Sequence, residues 1–545
     1  LTKYGYLVKK ESSSASQHII ALYDHMIRDK SPSAPLFERY TGTNLSPAEP
    51  CLPPHGTFSG RLAHASNRFP LAPAQRHALA HLVAAKAGEI LAINGPPGTG
   101  KTTLLLSVVA SLWAEAAIAN GEPPVVLAAS TNNQAVTNIL DAFGKDFATG
   151  DGPLAGHWLP RVSSFGAYFP AASKMAEASK KFQTHGFFEE VETDAYVTEA
   201  QEAYLRAAAA AFPDIEEPLD VRGTVNALRT TIQAEAKKLT DIESAWSDLS
   251  AARTAVHVEL GEAPAASMTQ RRQQLGATTE EKWAIDSVAK QWEHYLAHEP
   301  LVYAILSWLP PVAKKRIRRA RRCLEQSCPD QLAQGSWESI DKIETSIRII
   351  AGQMDQTVRQ QVGGVERGEA VLKAERACLA KWQAALVPLG KAEQAGSLSL
   401  TDCDPLADTH IRFKIFLLTT HYWEGRWLLE MQDLLPEIEK ERKKTGRVAL
   451  EKRWRRRMKL TPCIVSTFFM LPEKMRVQRG DGREFVSDYL YDFADLLIVD
   501  EAGQVLPEVA GASFALSKKA LVIGDTMQIK PIWSVPRSVD IGNMV

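Results

Sequence analysis

The segment EILAINGPPGTGKTTLLL, residues 89–106, narrows what the chain can fold into before anything else does. An apolar run enters a glycine-rich turn, and Lys-Thr-Thr opens an apolar helix. GPPGTGKT (95–102) satisfies G-x-x-x-x-G-K-[ST] in full, in the strand–loop–helix context that the motif requires. Such a unit belongs to a parallel α/β sheet. Gly95, Gly98 and Gly100 let the backbone curl so that its N–H groups face phosphate oxygens. The start of the following helix adds a favourable potential for an anion. In the stretch ending at Thr103, Lys101 is placed to reach the β- and γ-phosphates of ATP and Thr102 to ligate Mg²⁺.

Further buried strands are predicted at 123–130 (PPVVLAAS), 462–469 (PCIVSTFF), 494–502 (ADLLIVDEA) and 519–525 (KALVIGD), the first followed by a helix, NQAVTNILDAF. The third of these ends in Asp500 and Glu501. Beside a phosphate loop, a strand-tip carboxylate such as Asp500 suits Mg²⁺, held through water, and Glu501 suits a general base for the attacking water. Gln528 follows the last strand in VIGDTMQIKP; a neutral amide there can sense a γ-phosphate and hold the water. Gln75, 20 residues before Gly95, has an amide able to donate to and accept from an adenine edge. Taken alone, it reads more readily as a glutamine on a helix surface.

Between the two α/β stretches, 71–165 and 460–545, lie about 294 residues of a different character. Val225, Leu228, Ile232, Leu239, Ile242, Trp246, Leu249, Val256 and Leu260 fall at 3-4 spacing, as do Trp337, Ile340, Ile343, Ile347, Ile350, Met354, Val358, Val365, Leu372, Leu379 and Trp382. These runs predict helices ~54 and ~75 Å long. Pairing them as an antiparallel coiled-coil arm buries both stripes, with Gly363, Gly364 and Gly368 expected to kink the second. An ordinary helical bundle is the alternative. Residues 1–70 carry Ser/Pro-rich punctuation and read as the tail of a preceding domain plus a linker.

Net charge is −1, so no partner follows from overall charge. Two local segments differ. KKRIRRARR (314–322) has seven basic residues in nine and suits a solvated helix, nucleic acid, or a protein or membrane surface. KERKKTGRVALEKRWRRRMK (440–459) has eleven basic and two acidic residues. Its Arg453, Trp454 and Arg455 are candidates for phosphate contact and base stacking on single-stranded nucleic acid, with a solvated helix as the alternative. Six scattered cysteines without CxxC spacing fit a reducing compartment better than a zinc site. With no signal peptide, and LVYAILSWL (301–309) too short to span a bilayer, a cytoplasmic protein without integral membrane association is expected.

In order, LAPAQ, GPPGTGKT, STNNQAV, VSTFF, DEAGQ and GDTMQIKP resemble the first motor domain of a superfamily 1 helicase, in the 5′→3′ branch that includes the nonsense-mediated-decay helicase. The likeness covers 71–165 and 460–540, about a third of the chain. It implies a RecA-like P-loop NTPase domain, interrupted by a large all-α insertion, with ATP at the sheet edge and single-stranded DNA or RNA across its top. It assigns Gln75 to adenine, Lys101, Thr102 and Asp500 to phosphate and magnesium, and Glu501 and Gln528 to catalysis. It also points to Thr131, Asn132, Asn133 and Thr467 at the nucleic-acid backbone, although plain cap and turn residues would look the same.

A motor of that kind uses a second RecA-like domain to supply arginines. Only 17 residues follow Gln528, so the sequence reads as the N-terminal motor half, expected to bind ATP, hydrolyse it poorly and not translocate unaided. The arm could bind a protein partner. Two rivals stand beside this reading. A coiled-coil ATPase of the chromosome-maintenance and recombination-repair type needs an LSGGQ-like signature, which 460–495 lacks. An NTP-switched scaffold that binds a partner through its arm is the other.

Overall fold

A computed structural model describes residues 16–29, 33–43, 57–96, 98–131, 133–145, 152–215, 220–325, 338–480 and 485–527. Gln528, Asn132 and Trp337 lie outside the described residues. The elements used below run in chain order: α1 (Gln17–Arg28), α2 (Pro35–Thr41), α3 (Pro73–Ala84), β1 (Ile90–Asn94), α4 (Lys101–Ile118), β2 (Val126–Ser130), α5 (Asn133–Lys145), β3 (Gly166–Tyr168), α6 (Asp194–Ala211), α7 (Val221–Leu260), α8 (Pro264–Ala297), α9 (Leu301–Ile305), α10 (Pro310–Glu325), α11 (Ile340–Ala385), α12 (Phe413–Leu434), α13 (Arg447–Met458), β4 (Cys463–Thr467), β5 (Arg476–Gly480), β6 (Phe485–Tyr489), β7 (Leu496–Val499), α14 (Pro507–Phe514) and β8 (Ala520–Gly524).

Six strands form one parallel sheet in the order β1-β8-β7-β2-β4-β3. The five strands expected from apolar runs are all present, and the fold is the RecA-like P-loop architecture with a large helical insertion. β2 and β7 are buried along their whole length, as continuous apolar runs in a parallel sheet should be. α4 covers one face. It is apolar enough, by length and composition alone, to cross a membrane, yet Leu104, Leu105, Val108, Val109 and Trp113 are buried inside the domain.

The chain divides into two compact units, residues 1–244 with 385–545, and residues 245–384. The expected boundaries at 70, 165 and 460 do not coincide with this division. β3 pairs with β4, so the sheet continues past 165. α12 and α13 also pack within the first unit, burying Trp423, Trp427, Trp454 and Met458. Nor is the described part of 1–70 only a linker: Tyr23 and Tyr40 donate to the carbonyls of Glu508 and Pro507 at the start of α14, and Arg61 and His64 are buried. The short β3 and the β5–β6 hairpin were not expected. β3 holds three residues, too few for a periodic signal, and the hairpin alternates around charged residues.

The second unit is an antiparallel helical coil, with one change from expectation. The end of α7 pairs with the end of α11, through Trp246 packing tilted against Trp382 at 5.2 Å and Arg253 facing Glu375. At Gly261 (φ 75°) the helix breaks, and α8 continues the run against the earlier part of α11, where Lys282 bridges to Asp355 and Val288 packs with Ile343 and Ile347. α11 continues as helix through Gly363, Gly364 and Gly368; Gly368 is buried where Met268 and Leu260 approach.

Candidate nucleotide and nucleic-acid site

Parallel register accounts for how residues 400 apart in sequence form one site. β1 and β7 both pair with β8, so their carboxyl ends emerge on the same edge of the sheet. There the phosphate loop leaves β1 and the acidic turn leaves β7. Gly95 N–H donates to the Gly524 carbonyl at 2.8 Å and closes the loop onto β8. Lys101 Nζ lies 3.3 Å from Glu501 Oε1. Glu501 adopts a left-handed backbone (φ 53°, ψ 42°), unusual for a residue with a side chain and costing of order 1 kcal/mol. This conformation turns the chain sharply after Asp500.

Asp500 Oδ1 and Glu501 Oε2 are buried and accept no hydrogen bond among the described residues. Burial first, and then the neighbouring Glu501, push the Asp500 carboxyl above its ordinary range, with Lys101 opposing. An uncompensated buried carboxylate is costly unless something charged meets it. Together with the Thr102 hydroxyl, exposed at the start of α4, Asp500 offers the hard oxygen donors that Mg²⁺ prefers. These residues therefore fit a magnesium–nucleotide complex. When bound, such an ion neutralises phosphate charge, and Lys101 and the backbone N–H groups of 95–103 add to that field.

Gln75 sits in the first turn of α3 and holds the loop. Its Oε1 accepts from Ala72 N–H at 2.8 Å, and its Nε2 donates to the carbonyls of Thr99 (2.8 Å) and Gly100 (2.9 Å). Gly100 has φ +73°, and a Cβ there would lie 2.5 Å from Gln75 Nε2, so only glycine fits. Beside Gln75 opens a cleft of about 620 Å³ lined by Phe69, Gln75, Gly98, Thr99, Thr401 and Pro405, among others. Phe69 is 67% exposed. With Oε1 and both Nε2 hydrogens engaged, the Gln75 amide is not free to donate to the adenine edge expected of it while it holds the loop.

Sequence reasoning missed Phe69 and the wall supplied by Thr401 and Pro405. It also missed what anchors α3. Asp408 Oδ2 accepts from Leu71 N–H (3.0 Å) and Arg76 Nε (3.2 Å), while Asp408 Oδ1 accepts from Arg412 (2.7 Å). The only signal was the Arg76 neighbour of Gln75, since its partner lies 332 residues away.

The polar residues expected at nucleic acid divide in two. Thr131 follows β2 and Thr467 ends β4; Ser130 is in register with Thr467, so both threonines emerge together on the carboxyl edge. Asn133 opens α5 next to them and accepts from the Tyr168 hydroxyl at 3.4 Å. The α13 residues are elsewhere. Trp454 is only 5% exposed and packs edge-on against Phe169 at 5.2 Å, so it is not available to stack on a base. Arg455 binds the Pro123 carbonyl and Asp495, and Arg453 binds the carbonyls of Glu441 and Lys444. The reason is directional: α13 leads into a parallel strand and so lies by the amino ends, opposite the edge carrying Thr131 and Thr467.

Residues 70–296 match the family model of an AAA domain (AAA_11). No curated protein matches the sequence. The match begins beside Phe69 and spans the phosphate loop, β2 and much of the helical insertion. With the sheet order and the Lys101–Glu501 pair, it supports a RecA-like P-loop NTPase domain.

Proposed function

We propose that the chain carries the first motor domain of an ATP-dependent nucleic-acid helicase or translocase, of the 5′→3′ branch resembling the nonsense-mediated-decay helicase. The observation that supports it most is the Lys101–Glu501 pair beside the buried Asp500, poised at one strand edge. In this reading Lys101 binds the β- and γ-phosphates, Thr102 and Asp500 hold Mg²⁺, Glu501 deprotonates water and Gln528 reports the γ-phosphate. Glu501 is held by Lys101 until phosphate oxygens replace it, which frees the carboxylate to act as base. Thr131, Asn132, Asn133 and Thr467 position the single strand along the carboxyl edge. A second RecA-like domain completes the hydrolytic site with arginines worth roughly 10³–10⁵ in rate.

The test is MgATP binding and steady-state hydrolysis by the chain, with and without single-stranded DNA or RNA, against Lys101→Ala. Binding lost in the variant, with affinity for one polymer altered by ATP, supports a nucleic-acid motor and names its track. Nucleotide binding indifferent to both polymers overturns the motor reading.

A further inference from the structure

The second unit carries a surface that the nucleotide chemistry does not use. In α9 and the turn after it, Leu301 is 75% exposed, Val302 63%, Ile305 68% and Trp308 75%. Four large apolar side chains within eight residues face solvent. Isolated exposed apolar residues are common, but a contiguous group of this size marks a binding surface.

The helix that follows has the opposite bias. Along α10, Ala313, Ile317, Ala320 and Leu324 repeat at helical spacing, and Ala320 and Leu324 pack against Val288 and Trp292 of α8. The apolar stripe of α10 is therefore spent on its own unit. Its other face presents Lys314, Lys315, Arg318, Arg319, Arg321 and Arg322, all exposed. No acidic residue occurs between Pro310 and Leu324. The two features are locked together: Arg316 makes paired hydrogen bonds to Glu299 (2.7 and 2.5 Å), and Arg319 lies over the Tyr303 ring at 4.9 Å. Between them is a cleft of about 690 Å³ lined by Lys290, His294, His298, Tyr303 and Arg319.

We propose that this surface docks on an anionic phospholipid bilayer, with Leu301, Val302, Ile305 and Trp308 entering the headgroup–acyl boundary and the α10 cations lying over acidic headgroups. Aliphatic side chains and a tryptophan next to a polybasic face are what an interfacial membrane contact requires. A nucleic-acid backbone would use the cations but gives Leu301, Val302 and Ile305 nothing to contact. Lys290 and Arg319 in the cleft suit a phosphate-bearing headgroup, since Glu299, which also lines it, is engaged by Arg316. The inference is independent of the motor reading.

The experiment is co-sedimentation of the full chain with vesicles of phosphatidylcholine alone or with added phosphatidylserine, at two salt concentrations. Expected are binding to the anionic vesicles, weakening with salt, and little binding to neutral ones. Arg318→Glu with Arg321→Glu lowers the vesicle partition at least about tenfold, and Ile305→Ser with Trp308→Ser does so without abolishing MgATP binding, since these side chains are mostly exposed. Vesicle binding that ignores headgroup charge, or that survives both variants, overturns the proposal. So does a result in which the wild type ignores vesicles but binds single-stranded nucleic acid through the α10 cations.

Discussion

Gln75→Ala separates two roles that one side chain combines. In the structure the amide makes three hydrogen bonds, one to its own helix start and two to the phosphate loop. A neutral hydrogen bond is worth a net 0.5–1.5 kcal/mol, and partial exposure puts these at the low end, so losing the two bonds to the loop costs it about 1 kcal/mol of local stability. That corresponds to about 5-fold faster amide exchange when opening is local. Mass-spectrometric hydrogen exchange should show this at residues 98–104 and leave β2 and β7 unchanged. Both Nε2 hydrogens are spent on Thr99 and Gly100, so Gln75 reads adenine only by releasing the loop; in that case the variant loses roughly tenfold in preference for ATP over GTP. Unchanged exchange at 98–104 would refute the loop-holding argument. Faster exchange with nucleotide preference intact would confine Gln75 to a structural role.

Phe69→Ala should weaken MgATP affinity by roughly tenfold while sparing inorganic phosphate affinity, measured by calorimetry, because the ring lines the cleft beside Gln75 and offers an aromatic face but no phosphate donor. Trp454→Ala should cost about 3–5 kcal/mol in urea unfolding, and Trp454→Phe should leave any single-strand affinity unchanged. The Glu424 carboxyl is depressed to about 2: burial alone would raise it, but hydrogen bonds from His157 and His421 prevail. A depressed carboxyl contributes stability above its unfolded pKa, and here that contribution, about 3 kcal/mol, disappears as pH falls from about 4.5 to about 2; Glu424→Gln should flatten that part of the unfolding profile. Replacing 245–384 by a short glycine–serine linker should preserve MgATP binding, since none of the nucleotide-site residues lies there, and should abolish vesicle binding; loss of nucleotide affinity would show that the second unit supports the site.

The α/β half of the fold was legible because its signals are local. Each of β1, β2, β4, β7 and β8 is a short apolar run, and GPPGTGKT and DEAGQ fix what stands at two of their ends. The helical seams were equally legible as periodicity: Leu228, Ile232, Leu239, Ile242 and Leu249 are all fully buried. Their partners were not. Periodicity says that a stripe is covered without saying by what, so the share taken by α8 went unseen. The basic run at 440–459 misled for a related reason. Composition does not distinguish arginines that face phosphate from arginines that face acids. Arg456 is buried against Glu192 and Glu441, and Lys459 against Glu430, partners that are brought near only by the tertiary fold.

The insertion is not an appendage to a self-sufficient motor. A parallel sheet needs a connection between β3 and β4 that returns to the amino edge, and any helix would serve. Here the connection also contributes Asp408 to the base of α3, Thr401 and Pro405 to the base cleft, and Glu424 to the segment ahead of β3. Movement of α12 would therefore act on Arg76, and through α3 on the Gln75 amide that grips the phosphate loop. The route needs no long chain of contacts, because Arg76 and Gln75 are adjacent. It gives the parts of the insertion packed in the first unit a direct mechanical hold on the nucleotide site, while residues 245–384 carry the surface features that the site does not need.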